Sequence, residues 1–242
     1  MIMQGIDVSK HNGLIDFHKV KEAGNDFVII RAGYGKALTQ VDPYFEQNYK
    51  NAKLAGLKVG AYWYSYTDTV AGALREAETC INAIKGKLFE LPIYYDIEEK
   101  SQLAQGSQFL GDIIEHFCDT MEKSGYFAGI YMSASYLKNV PMRTLVKYAV
   151  WVAQWGKACT YELTRWGVWQ YSNKGTVSGI QGDVDLDKMV IDYPTIIKNA
   201  KLNGYNDIYD LGLMEQRIVN EEALEILRDC KTKLEELRSR YL

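Results

Sequence analysis

Histidine and cysteine are scarce in this chain, and their placement argues against a metal centre. The 242 residues include three histidines and four cysteines. No histidine has a second ligand at helical spacing, as in a His-Glu-x-x-His pair, and no two cysteines stand close together. We therefore expect neither a catalytic zinc nor another cofactor, and we expect reduced, mostly buried thiols rather than disulfides. The cysteines are Cys80, Cys118, Cys159 and Cys230.

The chain also lacks an excess of positive charge, a long apolar run and a phosphate-binding loop. Its formal net charge of −3 provides no basic field for phosphates, so we expect no nucleic-acid partner. No window approaches the roughly 20 apolar residues of a membrane span. No Gly-x-Gly-x-x-Gly pattern follows a strand, which disfavours nucleotide binding. Residues 1–11 lack the basic start and apolar stretch of a secretory signal, so we expect synthesis in the cytoplasm.

What the sequence does contain is an alternation of short β-prone runs with helical patterns. Eight such runs indicate a parallel α/β architecture, for which we predict an irregular (β/α) barrel and keep an open doubly wound sheet as the alternative. The connections 156–167 and 172–182 are short, and the second is rich in glycine, so the late part of the barrel should lack regular outer helices. The runs are 5–8, 27–31, 59–64, 92–97, 128–132, 149–154, 168–171 and 183–186, and the predicted helices are 17–23, 44–55, 70–84, 107–123 and 136–146.

The character of the chain changes after residue 194. A polar stretch begins at residue 203, and a weak heptad seam then runs through a charged segment to the end of the chain. We therefore predict a barrel domain over 1–202, a linker over 203–212 and a C-terminal helix over 213–242. This helix either packs on its own barrel or associates with its counterpart in another copy, which would make the protein a homo-oligomer.

The most informative segment is 91–99, in which an apolar, β-prone beginning runs into three acids. On a strand, Asp96 and Glu98 point to the same side with their bases about 6–7 Å apart. Two carboxylates at that distance repel each other, so one of them keeps its proton to higher pH. A protonated carboxyl beside an anion is what acid-catalysed glycoside cleavage requires. The alternative is that these acids only begin a solvated loop after a buried strand.

Two further acids occupy similar positions. Asp7 lies in the first β-prone run and Asp185 in the last. The first and last strands of a closed barrel are neighbours, and the C-terminal strand ends form the functional face of a β/α barrel. We therefore predict that Asp7, Asp96, Glu98 and Asp185 surround one cleft and form the catalytic group.

Aromatic residues cluster at the same strand ends. Flat rings stack on the CH faces of sugars, while hydroxyl and amide groups bind sugar hydroxyls, so this distribution favours an extended glycan groove. Because neighbours on a strand face opposite sides, half of these rings belong to the core. We select Tyr62, Tyr64, Tyr131 and Trp151 as the groove candidates.

Several segments, taken in order along the chain, carry a family resemblance. They are 5–9 with 11–13 and 15–17, then 27–33, 60–66, 92–98, 151–155, 169–172 and 184–186. In this order they resemble the glycoside hydrolase family 25 lysozymes, the Chalaropsis-type muramidases found in bacteria and as phage endolysins. The resemblance implies an irregular, flattened β/α barrel that cleaves the β-1,4 bond from N-acetylmuramic acid to N-acetylglucosamine in peptidoglycan. It also implies action at the bacterial cell wall, after release or holin-type export.

Position by position, the resemblance implies Glu98 as general acid/base, Asp96 as its acidic partner, and Asp7 and Asp185 as supporting carboxylates. The family is regarded as retaining. We favour attack by the substrate's own acetamido group over attack by Asp96, because the two acids share a strand. Two further substrate-binding candidates, both within the matching segments, are Arg31 and Gln170.

Departures from the family pattern leave other interpretations open. Asp187 stands where many relatives carry asparagine, and the nearby Asp183 competes for the role of supporting acid. No wall-binding module is recognisable after the linker, so wall targeting becomes a third role for the C-terminal helix. A chitinase-like hydrolase is the competing enzyme, although its longer acidic run is replaced here by apolar residues 93–95. A non-catalytic glycan-binding protein is the other alternative, and it would be expected to have lost Asp96 or Glu98.

Overall fold

A computed structural model describes residues 2–205 together with Glu225, Ile226 and Arg228. The chain divides into two units, Met1–Gly204 and Tyr205–Leu242. Most of the predicted linker at 203–212 and of the predicted helix at 213–242 therefore lies outside the described residues. Among the helices that are described, none is long and apolar enough to cross a membrane.

Eight strands close into a barrel in chain order, which confirms the eight predicted runs and excludes the open doubly wound sheet. Neighbouring strands are parallel except at the last one, which is antiparallel to both the seventh and the first. The expectation of a parallel sheet is wrong for this strand, because the connection 176–183 is too short for a crossover helix. The strands are β1 (Met3–Val8), β2 (Phe27–Tyr34), β3 (Lys58–Tyr64), β4 (Ile93–Asp96), β5 (Ala128–Ser133), β6 (Ala149–Ala153), β7 (Val168–Gly175) and β8 (Val184–Met189).

Helices cover the early part of the barrel, and the connections 154–167 and 176–183 contain none, as predicted. Four of the five predicted helices are confirmed. The fifth, predicted as one helix over 136–146, is wrong: it is two short helices separated at Pro141, which lacks the N–H group that an uninterrupted helix needs. The described helices are α1 (Phe17–Glu22), α2 (Phe45–Leu54), α3 (Val70–Ile84), α4 (Lys100–Leu103), α5 (Ser107–Lys123), α6 (Ala134–Leu137), α7 (Met142–Leu145) and α8 (Tyr193–Asn199).

The packing of α5 against β4 fixes the strand that carries Asp96. The ring of Phe117 on α5 stacks on the ring of Tyr95 with 3.9 Å between centroids and 8° between planes. Both rings are fully buried, so Phe117→Ala should cost about 3–5 kcal/mol of folding free energy. Cys80 on α3 and Cys118 on α5 are buried free thiols in the same hydrophobic core.

Asn203 fastens the chain that follows α8 to the barrel. Its side-chain amide donates to the carbonyls of Phe89 at 3.2 Å and Leu91 at 2.8 Å, and its Oδ1 accepts the Phe127 N–H at 2.7 Å. Asn203 is fully buried and has a φ of 55°, a left-handed conformation that asparagine tolerates better than most residues. The residue that we placed at the start of the linker therefore packs as part of the barrel unit.

Candidate active site

Acidic residues from three strands meet at one edge of the barrel. Asp7 lies near the end of β1, and Asp96 is the last residue of β4. Because β8 runs opposite to β1, its beginning lies at the same edge, and Asp185 pairs directly with Asp7. The short return connection before β8 is thus what brings the last acid to the ends of β1 and β4.

Glu98 follows β4 and does not lie on it. The strand ends at Asp96, although the Ile97 N–H still donates to the Tyr131 carbonyl at 3.2 Å and keeps the chain beside β5. This corrects the expectation that Asp96 and Glu98 share one strand. The difference matters for access, because Asp96 is 4% exposed whereas Glu98 opens to solvent.

The pKa values of Asp96 and Glu98 are both raised. For Asp96, burial is the main cause, the negative charge of Glu98 adds to it, and the positive charge of Arg31 opposes it. For Glu98, the protein atoms crowded around its carboxyl raise the pKa, and the charges of Asp185 and Glu99 raise it further. The strongest charge effect on Glu98 thus comes from β8. Asp96 Oδ1 has no hydrogen-bond partner among the described residues, so it is available to a substrate group.

Three aspartates of β1 and β8 share one buried region. Asp187 is fully buried and accepts the Trp151 indole N–H at 2.8 Å, while Asp7 accepts the Gln170 amide at 2.8 Å. Burial raises the pKa of Asp7 well above its usual range, and the charges of Asp187 and Asp185 raise it further. Burial also raises the pKa of Asp185 to about 6, an increase that hydrogen bonding to Asp7 limits. Burial and the neighbouring carboxylates therefore favour the protonated form of Asp7.

Arg31 is engaged by a carboxylate that sequence analysis missed. Its Nε and Nη2 both lie 2.7 Å from Asp42 Oδ2, and both residues are buried. Asp42 also accepts the backbone N–H groups of Lys10 and Tyr44. Arg31 is therefore a buried countercharge near Asp96, and its role in substrate binding stays a prediction. No local motif marks Asp42, since it stands in a polar connection after β2.

The predicted groove aromatics divide into two kinds. Trp151 is 1% exposed and Tyr131 is 6% exposed, so neither offers a ring face to a glycan. Trp151 instead packs among the rings of Tyr62, Tyr94 and Tyr131, with centroids 6.1, 5.2 and 4.3 Å away. Tyr62 remains partly exposed, and so does Tyr64, whose hydroxyl donates to a Glu99 carboxylate oxygen at 2.8 Å. The expectation that the Trp151 ring lines a glycan groove is therefore corrected. For Tyr131, the expectation is limited to a contact through its hydroxyl group.

Gln170 joins several of these groups. Its Oε1 accepts the Tyr131 hydroxyl at 3.0 Å and the Trp155 indole N–H at 3.1 Å, and its Nε2 donates to Asp7. Gln170 is 3% exposed, so it supports Asp7 from within the protein and does not lie open to a ligand. Trp155 was not selected as a groove candidate, although it lies in the segment 151–155 that carries part of the family resemblance. Its position just after β6 was the available signal.

No group of three or more histidine, cysteine or acidic side chains placed to hold a metal ion occurs among the described residues. A cavity of about 690 Å³ lies elsewhere, lined by residues 14–19, two residues of α2 and the β7–β8 connection at 179–181. Asp7, Asp96, Glu98 and Asp185 lie outside it.

Comparison with known proteins places this geometry in a family. The sequence profile of glycosyl hydrolases family 25 matches residues 6–180. The autolytic lysozyme of Clostridium acetobutylicum is 28% identical over 230 residues, covering 92% of this chain and 69% of that protein. Lysozyme M1 of Streptomyces globisporus is 31% identical over 202 residues, covering 77% of this chain and 67% of that protein. The crystal structure of the CTP1L endolysin superposes with a TM-score of 0.72 at 28% identity, covering 81% of this chain and 70% of that one. This chain therefore belongs to glycosyl hydrolase family 25 and is a glycoside hydrolase of the lysozyme type.

Proposed function

We propose that this enzyme cleaves the β-1,4 bond from N-acetylmuramic acid to N-acetylglucosamine, with Glu98 as the general acid and base. The observation that carries the proposal is an accessible carboxyl with a raised pKa, Glu98, beside the buried Asp96. A carboxyl that keeps its proton toward neutral pH can protonate the leaving oxygen of a glycoside. Glu98 is the more exposed member of the pair, so it has the better access to that oxygen.

Asp96 has a different role in this proposal. It is buried, so it has little access to the anomeric carbon, but its Oδ1 is without a partner among the described residues and can accept an N–H from the substrate. An acetamido group held in this way directs its carbonyl oxygen at C1 of the muramic acid ring. That oxygen forms a bond to C1 while the C1–O4 bond breaks, and the proton of Glu98 passes to O4.

The second step restores the enzyme. The Glu98 carboxylate takes a proton from water, the water oxygen bonds to C1, and the bond from the acetamido oxygen to C1 breaks. Two displacements at one carbon retain its configuration. Asp185 supports this cycle through its charge, which raises the pKa of Glu98, and Asp7 supports Asp185 through a hydrogen bond.

Replacing Glu98 tests the proposal. Glu98→Gln keeps the shape of the side chain but cannot donate the proton, so wall lysis should fall by about 10²–10⁴. Glu78→Gln makes the same chemical change on an exposed position of α3 and should leave lysis unchanged. Retention of normal turnover by a folded Glu98→Gln variant would remove Glu98 from the mechanism.

We also propose that 213–242 associates with its counterpart in another copy. The support comes from the sequence, where Leu227, Leu234 and Leu237 give the heptad seam its apolar content. Several copies would attach to a wall in a multivalent manner. Light scattering on the full chain and on Leu234→Asp tests this, since the full chain should be an oligomer that the substitution dissociates. A full chain that is monomeric at micromolar concentration contradicts it.

The proposed route to the wall is release or holin-type export, because the substrate lies outside the cytoplasm. Cells that produce the enzyme can be fractionated before and after lysis, and the amount of enzyme inside and outside the cells is then measured. Enzyme found outside intact cells would contradict the proposal.

A further inference from the structure

Trp155 is unusual among the tryptophans of this enzyme because most of its surface is open to solvent. It is 60% exposed, whereas Trp63, Trp151 and Trp169 are at most 6% exposed. It follows β6 directly, at the barrel edge where the acids meet. An indole left this open on a folded chain loses the stabilisation that burial provides, so a function in ligand contact is a natural reason for its position.

The indole is held in place at one edge although most of its surface is exposed. Its N–H donates to Gln170 Oε1 at 3.1 Å, and the next residue, Gly156, donates its N–H to the Tyr171 carbonyl at 3.0 Å. Gln170 is buried and donates to Asp7, so the ring edge is two hydrogen bonds from the acid group. A ring with one anchored edge and an open surface presents a defined flat platform at little cost in side-chain entropy.

We propose that Trp155 is a sugar-binding platform of the cleft, on which a pyranose ring of the glycan strand stacks. The ligand class follows from the platform, because a β-1,4-linked strand of gluco-configured rings offers apolar CH faces while its hydroxyl and acetamido groups point outward. Stacking of this kind should change the affinity about tenfold, which corresponds to about 1.4 kcal/mol. The proposal rests on the glycan-cleaving function proposed above and extends it by one binding residue.

Fluorescence quenching tests the contact directly. The full-length Glu98→Gln variant binds without turnover, and a soluble N-acetylglucosamine–N-acetylmuramic acid tetrasaccharide serves as the probe. Acrylamide reaches Trp155 better than the partly buried Trp166 and far better than the three buried indoles, so the bound tetrasaccharide should clearly reduce quenching. This protection should vanish in the Glu98→Gln, Trp155→Phe double variant. Quenching that stays unchanged while calorimetry shows binding would overturn the proposal.

Kinetics provide the second test. Trp155→Ala should raise KM for wall fragments about tenfold with kcat within about twofold, the pattern for an interaction equally strong in the ground and transition states. Trp155→Phe keeps a ring without its N–H anchor and should raise KM less. Leu163→Ala, an exposed apolar position in the same connection, is the matched control and should change neither constant. An unchanged KM in Trp155→Ala overturns the proposal.

The two proposals fail separately. A tetrasaccharide that does not bind the Glu98→Gln variant also overturns the role of Trp155. In that case, if the unmodified enzyme lyses the wall and the Glu98→Gln variant does not, the proposed function stands without the proposed role of Trp155. Absence of lysis by the unmodified enzyme removes both.

Discussion

Asp185 on β8 lies directly opposite Asp7 on β1, and the two carboxyl groups share a hydrogen bond at the barrel edge that carries Glu98. Burial and the charges of its acidic neighbours raise the pKa of Asp7, and hydrogen bonding to Asp7 limits the rise in the pKa of Asp185. The charge of Asp185 therefore appears as the pH rises past about 6 and acts on Glu98. This relationship, rather than the Asp96–Glu98 spacing alone, sets the pH range in which Glu98 keeps its proton.

Asp185→Asn should move the basic limb of the pH–activity profile downward. Removing the charge lets Glu98 lose its proton more easily, so the fraction of enzyme in the protonated, active form at neutral pH decreases. We expect activity near pH 7 to fall roughly two- to tenfold. Initial rates of wall lysis across the pH range measure this.

Asp183→Asn is the control for that prediction. It removes the same charge two residues away, at an exposed position where the backbone carbonyl accepts a hydrogen bond from the Asn12 side-chain amide. Its profile should match that of the unmodified enzyme. A shift in Asp183→Asn but not in Asp185→Asn would exchange the roles of the two residues.

Asp187→Asn should stabilise the fold above neutral pH. Burial raises the pKa of Asp187 in the folded state, so this carboxyl favours folding at low pH and disfavours it as the pH rises toward the folded pKa. The amide oxygen can still accept the Trp151 N–H. We expect a gain of roughly 1–3 kcal/mol near pH 8 and a smaller gain near pH 4.5. Urea unfolding at both pH values measures it, and equal gains would show that the ionisation of Asp187 is not the cause.

Asp42→Asn should destabilise the fold strongly. The substitution leaves the buried guanidinium of Arg31 without its countercharge, for which we expect a loss of about 3–5 kcal/mol. Glu46→Gln breaks the Lys87–Glu46 ion pair, in which the Glu46 side chain is 69% exposed, and should cost at most about 1 kcal/mol. Thermal unfolding of both variants measures the difference. Similar losses would mean that Arg31 does not depend on Asp42.

Much of the barrel could be predicted because each strand carries its own local signal. The acids of 96–98 follow an apolar run, and barrel closure alone implies that Asp7 and Asp185 are neighbours. The direction of β8 could not be predicted from its residues, since it depends on the length of the connection before it. The interruption at Pro141 was predictable in principle, because proline breaks a helix interior wherever it occurs.

Side-chain partners were the least predictable part of the site. Trp151 and Trp155 are four residues apart, so strict alternation would place both on one side. The strand ends at Ala153, however, and beyond it alternation no longer applies, so one indole is buried and the other open. Arg31 finds its partner eleven positions away in a connection, where no periodicity applies. The association of 213–242 stays a prediction, because that segment lies mostly outside the described residues.

The bond that is cut is the central claim, and the new reducing end reports it directly. Purified peptidoglycan is digested with the full-length enzyme, reduced with borohydride and separated, and the fragments are identified by mass spectrometry. Cleavage as proposed leaves every new reducing end as reduced N-acetylmuramic acid, with none after digestion by Glu98→Gln. New ends of reduced N-acetylglucosamine would contradict the account.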